Sequence, residues 1–103
     1  MSNTERTIDL LGRLNIPAAL LQKQGWGTGD NVSLTIAGST IVLEQCTNKD
    51  STHSKDIRTI DALGRIVIPA PLRRTQNWAT RDKISLSSQN NTITLQLSQR
   101  HAG

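Results

Sequence analysis

The sequence predicts a mostly β chain with two short helices, built as two ββαββ repeats that pair within the one chain. Three observations carry this. The stretch RTIDLLGRLNIPAALLQ, Arg6 to Gln22, returns as RTIDALGRIVIPAPLRR, Arg58 to Arg74, at an offset of 52 residues. Aligned without a gap, residues 6–45 and 58–97 are identical at 20 of 40 positions, which marks a duplication rather than one continuous fold. Each copy spans only about forty residues, near the size below which lone domains rarely hold together, so the units need each other.

The elements follow in the same order in both units. Thr-Ile-Asp (7–9 and 59–61) reads as a short extended piece. Leu-Gly-Arg (11–13 and 63–65) follows, its glycine permitting a tight turn or a positive φ. A second apolar piece, Leu14–Ile16 or Ile66–Ile68, leads into Pro17 or Pro69, which suits the first turn of a helix because its missing N–H has no partner there. The helix is brief, with Leu20 or Leu72 facing inward. Its end falls near Gly25 or Asn77, residue types that tolerate the left-handed conformation past a helix C-terminus. Trp26 and Trp78 come next and read as core residues that pack the helix end. Val32–Ile36 and Ile41–Leu43 then flank Ala-Gly-Ser, and Ile84–Leu86 and Ile93–Leu97 flank Gln89-Asn90-Asn91. Period-two alternation around such turn residues reads as a hairpin with one buried face. Asp30 and Asp82 are placed to cap the turn into the third strand through side-chain-to-backbone hydrogen bonds.

One barrel domain over residues 1–103 is expected, from repeat 1 (about 5–45), repeat 2 (about 57–98) and a linker, 46–56. The linker is polar and without periodicity. The twelve residues 46–57, fully extended, reach at most about 40 Å, enough to let the units pair within one chain.

Hydrophobic residues make up 35% of the chain with no Phe or Tyr, so the core must be aliphatic apart from the two Trp. No apolar run approaches the roughly 20 residues of a membrane span. MSNTERTIDL lacks the basic-then-apolar pattern of a signal peptide. One cysteine, Cys46, cannot make an internal disulfide. These features read as a soluble, cytoplasmic protein with no membrane partner. The net charge of +4 is unevenly placed: residues 1–51 hold four basic side chains against five acidic ones, residues 52–103 eight against three.

The recurring phrase R-x-I-D-x-L-G-R-x-x-I-P, followed by the helix, a Trp, an Asp and a hairpin, resembles the AbrB/MazE/SpoVT family of swapped-hairpin DNA-binding domains. The likeness covers nearly the whole chain, twice. It implies that two units interleave their hairpins into one β-barrel, which most members form as homodimers and this chain as an intrachain pseudo-dimer. It also implies DNA contact through arginines of the first strand, the Leu-Gly-Arg turn and the short helix. In this sequence these are Arg6 and Arg13 in the first unit and Arg58, Arg65, Arg73 and Arg74 in the second. The first unit departs from the pattern at the helix, with Leu21 and Gln22 in place of two arginines and Lys23 one position late. Unequal halves are therefore expected.

Residue chemistry agrees with that expectation. Guanidinium groups present forked donors suited to phosphate oxygens and guanine edges. Taken singly, each arginine also fits a solvated or ion-paired surface residue, and Asp9 and Asp61 lie near enough in sequence to pair with Arg6, Arg13, Arg58 or Arg65; four in one unit read together as a basic face. The expected function is binding of double-stranded DNA, as a transcriptional regulator, with self-association of pseudo-dimers allowed. An antitoxin neutralising a toxin partner is disfavoured, because Ser98–Gly103 leaves little tail to wrap one. A structural assembly module would lack salt-sensitive DNA binding. No enzyme, cofactor or metal is expected: His53 and His101 have no ligand spacing to Cys46. GWGTGD lacks the strand and helix that a phosphate loop requires.

Overall fold

A computed structural model describes residues 4–46 and 56–100. Ten elements run in order: β1 (Thr4–Thr7), β2 (Arg13–Asn15), α1 (Ala18–Gln24), β3 (Asn31–Ala37), β4 (Thr40–Gln45), β5 (Ile57–Thr59), β6 (Arg65–Val67), α2 (Ala70–Gln76), β7 (Lys83–Gln89) and β8 (Thr92–Gln99). The ββαββ order therefore holds in both units. The first strands lie a few residues earlier than expected, because Ile8 and Ile60 already leave the sheet and bond to the carbonyls of Asp82 and Asp30.

Each helix has seven residues, too few to persist alone in water. Pro17 and Pro69 stand immediately before the first helical residue rather than in the first turn, with extended ψ of 141° and 139°. Their carbonyls accept the first helical bonds, as Pro17 does from the N–H groups of Leu20 (2.9 Å) and Leu21 (3.1 Å). Gly25 and Asn77 close the helices in the left-handed conformation, φ 74° and 62°, as expected. The Trp26 and Trp78 N–H groups then return to the carbonyls of Leu21 and Arg73, and both indoles are buried. Asp30 and Asp82 accept from the N–H groups of Gly27 and Ala79, at 2.8 Å each, which holds the loop into the third strand.

Apart from the two hairpins, strand pairing runs between the units. The main sheet is antiparallel with order β1-β7-β8-β4-β3-β5, and β2 pairs with β6 in a separate two-stranded ribbon. Each unit contributes one hairpin, β3–β4 or β7–β8; β4 and β8 join the hairpins, with Val42 opposite Thr94. The first strand of each unit adds to the other unit's hairpin, Thr7 opposite Lys83 and Asn31 opposite Thr59. β1 also lies beside β2, and β5 beside β6. Both edges of the sheet thus flank the same ribbon, so the sheet curls around the core as a half-barrel. That core is aliphatic: Ile8, Leu14, Ile41, Leu43, Ile60, Ile66, Ile84, Leu86, Ile93 and Leu95 are essentially inaccessible. Gln24 donates to the carbonyl of Thr92 and Gln76 to that of Thr40, tying each helix end to the other unit's hairpin.

β4 ends on one side of β3 and β5 begins on the other. Two strand spacings, about 10 Å, separate them, so the connection needs far less reach than the linker has. Most of the linker, with His53, lies outside the described residues, as does His101. Among the described residues no helix is long and apolar enough to cross a membrane.

The duplication extends to backbone strain. Gly29 has φ 90° and its counterpart Arg81 has φ 79°, a left-handed conformation that costs a residue with a Cβ about 1–2 kcal/mol. Replacing Arg81 with Gly should therefore stabilise the protein by about 1 kcal/mol, read as a higher urea midpoint. A lower midpoint would mean that the Arg81 side chain contributes more than its backbone loses.

Candidate nucleic-acid interface

The β2–β6 ribbon brings the two Leu-Gly-Arg turns together head to tail. Its register sets Arg13 opposite Val67, Leu14 opposite Ile66 and Asn15 opposite Arg65. Leu14 and Ile66 are buried, so alternation along each strand directs Arg13, Asn15, Arg65 and Val67 away from the core. The adjoining turns close through Ile16 N–H to the Gly64 carbonyl and Ile68 N–H to the Gly12 carbonyl, both 2.9 Å.

An aspartate organises each turn. Asp9 Oδ1 accepts from the N–H groups of Leu11 (2.9 Å) and Arg13 (2.8 Å), while Oδ2 holds Arg13 Nε at 2.7 Å. Asp61 repeats the arrangement with Leu63, Arg65 and Arg65 Nε, at 2.9, 2.8 and 2.9 Å. Partial burial pushes the Asp9 carboxyl up, but the bonds from Arg13 and Leu11 and the Arg13 charge outweigh it and hold the group below its ordinary value. For Asp61 the Arg65 backbone N–H acts most strongly, ahead of an opposing burial effect, and the net direction is also down. Both pairs engage the arginine through Nε, so the Nη groups of Arg13 and Arg65 keep their donors for another acceptor. Of the ion pairs expected with Asp9 and Asp61, those of Arg13 and Arg65 form and orient the guanidinium groups, whereas Arg6 and Arg58 bond backbone carbonyls instead.

These depressed carboxyls give a pH dependence of defined sign. The unfolded chain binds more protons at about pH 4 and just below, because its carboxyls titrate near 3.9. The contribution of Asp9 and Asp61 to stability is complete above that range and disappears as pH falls through the lower folded values. Denaturant midpoints should fall on acidification below about pH 4, and the double variant Asp9→Asn, Asp61→Asn should flatten that fall. An undiminished fall in the variant would assign it to other carboxyls.

The helix arginines differ from one another. Arg73 is half-buried, and its Nε donates to the Ile68 carbonyl at 3.0 Å. Its guanidinium crosses to the other unit and lies on the Gly12 turn, where a Cβ on Gly12 would stand 2.8 Å from Nη2. A side chain at residue 12 would have to displace Arg73, and Gly12 also has a φ of 79°. Arg73 and Arg13 thus lie at the same end of the ribbon. Arg74 is exposed on α2, and its side chain makes no hydrogen bond among the described residues. Both arginines lie in the last turn of the helix, where a cation also offsets the helix dipole.

Arg6 and Arg58 are set apart from this cluster. They lie on β1 and β5, the opposite edges of the main sheet. Each stands opposite a buried residue, Ile84 or Val32, hence on the core side, and each Nη1 bonds the carbonyl of the preceding residue. They flank the ribbon from its two sides.

The first unit's helix is not a weaker copy of the second. Leu21, the counterpart of Arg73, is buried, and its Cδ1 would lie 3.7 Å from a Cβ on Gly64. Gln22 and Lys23 are exposed. Several residues of the face were not expected to belong to it: Leu10, Leu11, Leu63 and Val67 are exposed on the ribbon or its turns. Leu10 pairs with Ala62 in the repeat and Val67 with Asn15. Such a mismatch points away from core at Leu10 and Val67, but it does not decide burial, since Leu21 matches Arg73 and is buried; Leu11 and Leu63 match each other and carry no such signal.

No protein-family model matches the chain, and no curated protein matches it. Among solved structures the chain is similar to PHS018 from Pyrococcus horikoshii, a solution structure, with 17% identity and a TM-score of 0.49 over 99% of this chain and 94% of that one.

Proposed function

We propose that this protein binds double-stranded DNA and acts as a transcriptional regulator, as a single-chain version of the AbrB/MazE/SpoVT type. In this reading residues 1–103 form one barrel domain, an intrachain pseudo-dimer of swapped hairpins. The exchange of β1 and β5 between the two units' hairpins supports that architecture. The observation that carries the function is the ribbon: Arg13 and Arg65 stand on one outward face with their acidic partners already engaged through Nε. Arg73 and Arg74 extend that face at the Gly12 end. Arginine donors on a turn and a helix end suit phosphate oxygens and guanine edges, and phosphate contact dominates such binding.

Titration of duplex DNA at several salt concentrations tests this. Arg73→Ala and Arg74→Ala should each reduce the salt slope by about 0.9 for one lost phosphate contact. Gln22→Ala and Lys23→Ala should change it less. Because Arg73 also packs on the Gly12 turn, thermal unfolding of each variant is measured alongside. Equal losses for Arg13→Ala and Arg65→Ala, with none at Arg73 and Arg74, would confine contact to the turns. Salt-insensitive or absent binding to all duplexes would defeat the proposal.

A further inference from the structure

Among the described residues, the large apolar side chains left exposed all lie on the ribbon or its turns: Leu10, Leu11, Leu63 and Val67. The two ends of the ribbon carry them differently. At the Gly12 end the Arg73 guanidinium lies over the turn. At the Gly64 end the matching position is Leu21, and the turn borders an open groove of about 450 Å³. Ile16, Ala18, Leu21, Thr28, Ala62 and Leu63 line it, and no charged side chain does. Leu63 stands at its rim, 67% exposed, while Asn15 Nδ2 holds the Leu63 carbonyl at 3.0 Å and so fixes the turn beside it.

This groove belongs to a face with net positive charge, because Arg13 and Arg65 are balanced by Asp9 and Asp61 while Arg73 and Arg74 have no acidic partner among the described residues. Arg65 follows Leu63 by two residues, Arg13 lies on the paired strand, and Asp9 and Asp61 are already held by them. A polyanion complements that charge. The apolar group that a duplex displays in its major groove is the 5-methyl of thymine, which suits a shallow Leu- and Ala-lined surface beside arginines.

We propose that the chain sits on DNA in one orientation, with the Arg73 and Arg74 end on phosphates and the Leu63 groove against thymine 5-methyl groups at the other end. The inference rests on the DNA reading above and adds what the first unit recognises and why its helix arginines are absent.

The test begins by selecting bound duplexes from a random pool with the full chain. Failure to enrich any duplex, with no salt-sensitive binding, defeats the DNA reading itself. For an enriched site, each thymine is replaced in turn by deoxyuridine, which removes only the methyl group. Expected is a loss of about fourfold in affinity for each contacted methyl, confined to one half of the site. Leu63→Ala, an exposed position whose thermal unfolding should not move, should remove the thymine–uracil difference there; Leu11→Ala should leave it in place. Neutral deoxyuridine substitutions throughout, equal losses in both halves, or an unchanged ratio in Leu63→Ala would overturn this inference while leaving DNA binding intact. So would a Leu63→Ala variant with unaltered duplex affinity and reduced self-association in sedimentation, which would make the groove a contact between copies.

Discussion

Cutting the chain between Cys46 and Asp56 is expected to leave two fragments that fold together and not as lone monomers. Each fragment keeps one hairpin of its own, β3–β4 or β7–β8. It loses the partner of its first strand, the partner of its ribbon strand and the β4–β8 seam. A lone two-stranded hairpin with one short helix cannot bury its apolar face. Mixing the fragments should restore the circular dichroism spectrum and blue-shifted Trp emission of the intact chain, with a Tm that rises with concentration. Because the units are half identical, a fragment alone is expected either to unfold or to pair with its own copy. Sedimentation separates these from the result that would defeat the pairing, a fragment that unfolds cooperatively as a monomer. Hairpin exchange between intact chains at high concentration follows from the same geometry.

Removal of either indole should cost nearly as much as the cut. Trp26 and Trp78 are 6% and 5% exposed and belong to the one core cluster. Truncation of a buried Trp to Ala costs about 3–5 kcal/mol, a large share of the roughly 5–15 kcal/mol that holds a small domain folded. Trp26→Ala and Trp78→Ala should therefore each lower Tm by about 15 °C or more. The backbone bonds from residues 26 and 78 to Leu21 and Arg73 survive the change, so the loss reports the side chain. Trp78→Ala should also loosen the end of α2 that carries Arg73 and Arg74. Any fall in the DNA affinity proposed for that end should then track the fall in stability. Unchanged unfolding together with lost affinity would make the indoles ligands instead.

The local chemistry of the candidate site was largely readable from the chain. The Asp-x-Leu-Gly-Arg spacing placed Asp9 and Asp61 within reach of Arg13 and Arg65, and those pairs are formed. Asp30 and Asp82 hold the loops into the third strands, as their positions imply. Less was readable about the six arginines as a group. Four of them meet the ribbon or extend from it, whereas Arg6 and Arg58 sit on opposite sheet edges. Nothing local distinguishes an arginine on an edge strand from one on a turn, since the difference lies in which strand becomes its neighbour. The leucines of the turns were unreadable for a related reason. An apolar residue beside a glycine looks like core until the partner strand is known, and Leu11 and Leu63 prove to be exposed.

Features set within a few residues needed only the sequence: two ββαββ units, the helix ends at Gly25 and Asn77, and the Trp that follows each. Backbone preference acts at that range, and the repeat doubled every signal. Which strands pair, and so which arginines share a face, was settled by contacts far apart along the chain. Period-two alternation says which side of a strand is buried but not which strand lies beside it. The same holds for Leu21 and Arg73. Both occupy one position of the repeat, yet one enters the core while the other reaches over the opposite unit's turn. Their separation depends on packing across the two units, where Leu21 meets Gly64 and Arg73 meets Gly12, each far away along the chain.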